Sequence, residues 1–155
     1  MTDIITMILS VIGIIPSFSD MINSQVSQSK GTKRSLILEM KKNAAFIQLY
    51  LDGEADLDTV VEKLTYKKLE KTLNSNFDFN TVKRGKVKKK SAGGIAFFEK
   101  YIGWNTEELY ENLYLKLQVL KTFVSDKKQN SRLRKNVRLI NILKLIKLIV
   151  IHIDE

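Results

Sequence analysis

The chain has 155 residues, one proline, seven glycines and no cysteine, and its formal net charge is +9. This length is typical of one domain, so we expect a single helical domain over residues 1–155. The absence of cysteine excludes disulfide frameworks and thiolate metal sites, and it fits a reducing compartment. The single histidine, His152, excludes a His-based metal cluster and a histidine-dependent triad made from this chain alone, and we expect it to be structural.

The positive charge is concentrated in the second half of the sequence. Residues 1–80 carry 9 basic and 10 acidic side chains, whereas residues 81–155 carry 17 basic and 7 acidic ones. Such asymmetry indicates a polyanionic partner for the second half, either a membrane surface or a nucleic acid. The alternative is that the excess charge only keeps the domain soluble.

The N-terminal segment is strongly apolar. Nine of the twelve residues from Ile4 to Ile15 are large and apolar. The run has no basic flank and no small-residue cleavage site, unlike a secretory signal, and it is shorter than the roughly 20 residues of a membrane span. We expect a first helix from Thr2 to Gln28, kinked at Pro16, that packs inside a bundle. The alternative is a segment that leaves the bundle for a bilayer.

Three helices are predicted next. Apolar residues recur at helical spacing from Lys33 to Asp52, and Gly53 stands where a C-terminal cap is expected. A short helix should begin at Asp56, whose negative charge suits a helix N-terminus. A second short helix should follow Thr65, whose hydroxyl is the expected cap.

The segment from Asn74 to Gly94 has no helical periodicity. Phe77 and Phe79 are expected to hold its start against the core. The run Lys83–Lys90 follows, in which six of eight residues are basic. Such a run is typical of a solvated loop or of a segment that follows phosphate groups. The candidate anion-binding residues of this loop are Lys83, Arg84, Lys86, Lys88, Lys89 and Lys90.

Two helices are predicted between this loop and Val124. The first is short and aromatic-rich, from Ile95 to Ile102. The second begins at a capping box formed by Asn105 and Glu108 and runs to about Val124. Three aromatic residues in this region have a spacing that suits either core anchors or base stacking, namely Tyr101, Trp104 and Tyr110.

The last helix, predicted from Ser131 to the end of the chain, is the most informative segment. Its apolar residues occupy one arc of about 120° and are expected to form core: Leu139, Ile142, Leu143, Ile146, Ile149, Val150 and Ile153. Eight basic residues and no acid lie between Lys127 and Lys147. Four of them join the candidate anion-binding set, namely Arg132, Arg134, Lys135 and Arg138.

The opposite side of the last helix mixes aliphatic and basic residues. A solvated helix would not keep aliphatic side chains there, so something is expected to cover them. We define an interaction face as Ile140, Lys144, Lys147 and Ile151. We expect one of four kinds of cover: a second helix layer, a second copy of the chain, a protein partner or a membrane surface. A strand over residues 148–153, which are rich in β-branched side chains, is the alternative to a helix there.

Together these patterns predict an all-α bundle of four main helices and two or three short ones. The sequence contains no phosphate-binding loop, dinucleotide fingerprint or nucleophile elbow, so we expect no enzyme and no cofactor. The outline, an apolar first helix leading into a basic bundle, resembles the HeLo-type four-helix cell-death domains. This resemblance is one of architecture, and it implies membrane engagement.

The leading hypothesis is a non-enzymatic cytoplasmic module. It engages an anionic membrane peripherally, or a protein partner, through its apolar first helix and basic last helix. The alternative is a nucleic-acid-binding or regulatory module that uses the 83–90 loop and the last helix. Self-association through the interaction face is a further expectation, as is the view that the chain is one domain of a larger protein.

Overall fold

The computed structural model describes residues 18–125 and 132–155, apart from the side chains of residues 123–125, 132 and 133. These residues form eight helices and no strand, which confirms the all-α prediction. Four helices are long: α1, Phe18–Gln28; α2, Gly31–Leu51; α7, Thr106–Ser125; and α8, Arg132–Asp154. Four are short: α3, Leu57–Lys63; α4, Lys67–Leu73; α5, Lys89–Ala92; and α6, Ala96–Glu99.

Three sequence predictions differ from the described structure or lie outside it. The part of the first helix predicted before Phe18, including the kink at Pro16, lies outside the described residues. Four short helices replace the expected two or three, because α5 lies in the segment without helical periodicity. The aromatic-rich helix predicted for residues 95–102 is shorter than expected and ends at Glu99.

Helix α8 lies at the centre of the fold. From Leu139 to Val150 every residue is buried except Asn141 and Lys144, which are half-buried. A helix that is apolar on most of its circumference is stable only when other elements cover it. Helices α1, α2, α5, α6 and α7 all pack against α8. The predicted core arc is buried, and residues 148–153 are helical, so the strand alternative is wrong.

Helices α7 and α8 run antiparallel. The start of α7 lies beside the end of α8, where the Thr106 hydroxyl is 3.1 Å from His152 Nε2. The other ends of the two helices both reach α3, since Lys121 donates to the Glu62 carbonyl and Lys135 pairs with Asp58. The capping box is confirmed, because Asn105 and Glu108 each bond the other's backbone N–H.

Helix α2 holds the turn between α3 and α4 in place. The Asn43 side chain donates to the Thr65 carbonyl at 2.7 Å and accepts from the Thr65 N–H at 2.9 Å. The Glu39 carboxylate accepts from the backbone N–H groups of Lys68 and Leu69 at the start of α4. The Thr65 hydroxyl accepts only a long bond of 3.5 Å from the Lys67 N–H, and Tyr66 stands at the N-cap position, so the main side-chain acceptor at the start of α4 is Glu39 of α2 and not the predicted Thr65.

The basic 83–90 loop is tied to the bundle by its backbone. Val87 is buried, its N–H donates to the Trp104 carbonyl at 2.8 Å, and its carbonyl accepts from the Gly103 N–H at 2.9 Å. Phe79 is also buried and its ring contacts Phe77, as predicted for the start of this segment. The loop thus has a defined backbone path, with its basic side chains on the outside.

Candidate anion-binding surface

The N-terminal half of α8 has one side that the other described helices leave open. Arg134 and Val137 are exposed there, and Arg138, Asn141 and Lys144 are half-buried. At 3.6 residues per turn these five residues share an arc of about 120°. The other sides of α8 in this half contact the bundle, since Asn136 accepts a hydrogen bond from Tyr50 of α2 and Lys135 pairs with Asp58 of α3.

Two lysines from α7 and the end of α6 converge on this open side. Burial lowers the pKa of Lys116, and the nearby charges of Lys100 and Arg138 lower it further. Burial also lowers the pKa of Lys144, again with a contribution from Lys100. Lys116 is therefore in electrostatic range of Lys100 and Arg138, and Lys144 is in range of Lys100, so cations from three parts of the chain repel one another in pairs. An anion bound among them would relieve that repulsion.

A phenylalanine ring lies between two of these lysines. The ammonium of Lys100 is 4.3 Å from the Phe97 ring centroid, and that of Lys144 is 5.2 Å from it. Lys100 also lies 5.0 Å from the Tyr101 ring centroid. Such cation–π contacts partly offset the loss of water around the charges. We call Phe97, Lys100, Lys116, Arg138 and Lys144 the basic–aromatic face.

Exposed aliphatic side chains border the basic–aromatic face. Val137 on α8 is 41% exposed and Val119 on α7 is 37% exposed. Because α7 and α8 run antiparallel with Thr106 beside His152, Val119 is level with residue 139 of α8. Leu115, which is 52% exposed, lies one turn before Val119. The cations are therefore flanked by apolar surface and do not line a purely polar groove.

The predicted loop cations form a second basic region. Arg84, Lys86, Lys88, Lys89 and Lys90 are exposed, and Lys83 is half-buried. The loop meets the C-terminal end of α8, where Ser91 Oγ donates to Glu155 Oε2 at 2.6 Å. Residue 155 is about 25 Å along the helix axis from residue 138, so the loop lies far from the Arg138 end of the basic–aromatic face. At the other end of that face, α6 packs against α5, which begins within the loop.

The other predicted anion-binding residues lie in different surroundings. The prediction that Lys135 binds an anion is corrected, because its side chain is only 10% exposed and its ammonium pairs with Asp58 at 3.3 Å. Its burial and its pairing remove it from any open anion-binding surface. Arg134 and Arg138 lie on the open side of α8, and the side chain of Arg132 lies outside the described residues.

The predicted interaction face is covered by the chain itself. Ile140 and Lys147 are buried, and Lys144 and Ile151 are half-buried. The ammonium of Lys147 is 5.2 Å from the Phe18 ring centroid on α1. Lys144 lies at the edge of this face, over Phe97 of α6, and also borders the open side of α8. Of the alternatives for the cover, the structure has a second helix layer. This corrects the expectation of a partner or membrane contact at Ile140 and Lys147.

Lys100 and Lys116 are members of the site that sequence reasoning missed. Lys100 follows the aromatic pair Phe97 and Phe98, and an aromatic–basic alternation of this kind was the available signal. Lys116 stands at the edge of the inner row of α7, about 40° around the helix from Leu120. Its position at the edge of a core row gave no sign that Lys100 and Arg138 would lie beside it.

His152 is buried and serves the fold. The Thr106 hydroxyl donates its only proton to the Lys83 carbonyl at 2.8 Å. The contact between Thr106 Oγ1 and His152 Nε2 therefore requires the imidazole N–H to donate. Burial lowers the pKa of His152, and the charges of Lys83 and Lys88 lower it further. This arrangement joins the basic loop, α7 and α8, in agreement with a structural histidine.

No protein-family model matches this chain, and neither a curated protein nor a solved structure matches it. Across residues 18–125 and 132–155, no helix is both long and apolar enough to cross a membrane. The same residues contain no group of three or more side chains suited to hold a metal ion.

Proposed function

We propose that this protein binds anionic membrane surfaces peripherally through the basic–aromatic face. The observation that carries the proposal is that Lys100 and Lys144 meet at Phe97, with Lys116 and Arg138 in electrostatic range of this group and exposed aliphatic side chains beside it. Long basic side chains can reach lipid phosphates while their stems and the neighbouring valines contact the acyl region.

The energetic contributions of the two kinds of residue differ. Each lysine or arginine near an anionic bilayer contributes about 1 kcal/mol, and added salt screens this attraction. Buried apolar surface contributes roughly 25 cal/mol per Å² and is not screened. A site with both should be selective for anionic lipid and should retain some binding at moderate salt.

A nucleic acid is the competing ligand. Phosphate contacts use the cations, but exposed Val119, Val137 and Leu115 have no part in binding a sugar–phosphate backbone. The exposed lysines of the 83–90 loop would serve either ligand. The apolar border of the basic–aromatic face therefore favours the membrane over the nucleic acid.

The first experiment removes three charges from the face. The variant carries Lys100→Gln, Lys116→Gln and Lys144→Gln, and the matched control carries Lys67→Gln, Lys68→Gln and Lys71→Gln on α4. Binding is measured by co-sedimentation with vesicles that contain phosphatidylserine. At about 1 kcal/mol per lysine, the face variant should lose on the order of 100-fold in affinity. An equal loss in the control variant would mean that only net charge matters.

The second experiment tests the apolar component. The variant carries Val119→Ser and Val137→Ser, and the control carries Leu38→Ser and Leu49→Ser, two exposed positions on α2. The face variant should lose the binding that survives moderate salt, whereas the control should keep it. Gel-shift titration with a nucleic acid over the same salt series completes the comparison. Tight nucleic-acid binding with no vesicle binding would contradict the proposal.

A further inference from the structure

A cleft of about 230 Å³ lies between α1, α2 and α8. Most of its lining is apolar and comes from Phe18, Ile22, Ala44, Ala45 and Leu143. The charged side chains in its lining are those of Lys41 on α2 and Lys147 on α8, and no acidic residue lines it. An apolar cleft with a few convergent polar groups is the usual form of a small-molecule site.

Lys147 is the unusual member of this lining. The residue is only 3% exposed, and its ammonium lies 5.2 Å from the Phe18 ring centroid. No hydrogen bond or ion pair to a described residue accompanies that contact. Burial lowers the pKa of Lys147 to about 8. An ammonium that is largely removed from water and lacks a carboxylate is costly, and an anionic ligand in the cleft would supply the missing charge.

We propose that the cleft binds a single medium-chain fatty acid, with its carboxylate on Lys147 and its hydrocarbon chain against the apolar lining. One buried ammonium matches the single negative charge of a carboxylate. Lys41 is exposed at the rim and adds long-range attraction. The apolar residues Phe18, Ile22 and Leu143 match a hydrocarbon chain, which an inorganic anion does not offer.

This site is distinct from the membrane-binding surface. Lys147 and the midpoint of the open side, Asn141, are about 120° apart around α8. None of Phe97, Lys100, Lys116, Arg138 and Lys144 lines the cleft. Fatty-acid binding and vesicle binding can therefore fail separately, and each can be tested without the other.

The test uses isothermal titration of the full chain with decanoate below its micelle concentration, decanol below its solubility limit, and inorganic phosphate. Decanoate should bind with one molecule per chain, and decanol and phosphate should each bind at least tenfold more weakly. Decanoate affinity should also fall as the pH is raised through about 8, where Lys147 loses its proton. Lys41 is the other titratable group that lines the cleft, and it faces solvent.

Two variants and one control assign the site to residues. Lys147→Met keeps the apolar stem and removes the charge, so decanoate affinity should fall at least tenfold while decanol affinity stays the same. Ala45→Phe, at an exposed position on α2, should fill the cleft and weaken both ligands. Lys144→Met, at a neighbouring position of α8 that does not line the cleft, should change neither, and thermal melting verifies that each variant is folded.

Three results would overturn the proposal. Equal affinity for decanoate and decanol would leave Lys147 without a role. Equal affinity for decanoate and phosphate would make the cleft a simple anion site. Decanoate binding that is unchanged by Lys147→Met and Ala45→Phe, or abolished by Lys144→Met, would place the ligand elsewhere.

Discussion

Two neighbouring sectors of α8, about 60° apart at 3.6 residues per turn, carry the same local pattern and have opposite surroundings. In one sector Lys144 lies over Phe97, is half-buried, and lies near other cations at an open surface. In the other sector Lys147 lies over Phe18 and is buried beneath α1 and α2. The pattern of a lysine beside an aliphatic residue therefore does not tell which side is exposed. The covering helices decide whether a lysine can meet a surface or only a small ligand.

The largest effect is expected from charges placed on the covered side. Ile140→Asp together with Ile151→Asp puts a carboxylate into the packed core at Ile140, which is 6% exposed. Burying an unpaired charge costs several kcal/mol, about the whole stability of a small domain. The double variant should lose cooperative thermal unfolding. Val137→Asp, on the open side of the same helix, should retain it.

If the double variant folds and its melting is unaltered, the assignment of the covered side of α8 is wrong. That result would mean that Ile140 and Ile151 face solvent and that this side of the helix is available to partners. Self-association of the wild-type chain that the same variant abolishes would point to a second copy as the cover.

A smaller effect is expected from the basic loop. Lys86→Ser, Lys88→Ser, Lys89→Ser and Lys90→Ser should weaken vesicle binding about tenfold at low salt, because exposed charges act through long-range attraction. The loss should vanish at moderate salt, where the basic–aromatic face still binds. The measurement is vesicle binding over a salt series, for this variant and for the variant at Lys100, Lys116 and Lys144. Equal losses at every salt concentration would make the two basic regions equivalent.

A further effect concerns the pH dependence of stability. The pKa of Lys147 is about 8 in the folded chain and its ordinary value is 10.5, so the unfolded chain binds more protons between these values. The free energy of unfolding should therefore rise with pH in this interval, by at most about 1.4 kcal/mol per pH unit for one proton. Lys147→Met should lack this rise, as denaturant titrations from pH 7 to 9.5 can test.

The upper pH limit of that experiment follows from the tyrosines. Burial raises the pKa of Tyr101 to about 12 and raises that of Tyr110 as well. Above pH 10 an unfolded tyrosine loses its proton first, so the two residues lower stability as the pH rises further. Parallel pH curves for the wild type and Lys147→Met below pH 9.5 would show that Lys147 is not desolvated.

Local patterns in the sequence predicted the main helices well. Asn105 and Glu108 are three residues apart, so their capping box depends only on the first turn of α7. The core arc of α8 was predicted because its apolar residues recur over more than four turns. The capping of α4 was not predictable in this way, because Glu39 is 29 residues from Lys68 and reaches it only after α2 has packed.

The residues of the candidate site could be predicted even less, because tertiary packing brings them together. The charges of Lys100, Lys116 and Arg138 influence one another although 16 and 22 residues separate them along the chain. Lys135 lies three residues before Arg138, yet it pairs with Asp58 on α3 and Arg138 lies on the open side. The sequence shows that the second half is basic, but the tertiary contacts determine which cations share a surface.

Membrane binding through the basic–aromatic face requires the open side of α8 to contact the lipid. The chain contains no cysteine, so a single cysteine can carry an environment-sensitive fluorophore without competing sites. Labelled Val137→Cys should shift to shorter emission wavelength with phosphatidylserine vesicles and not with phosphatidylcholine vesicles, whereas labelled Leu38→Cys on α2 should not shift with either. A shift at Leu38→Cys without one at Val137→Cys, or no shift at either position when the protein is vesicle-bound, would contradict the assignment of this side of α8 to the membrane.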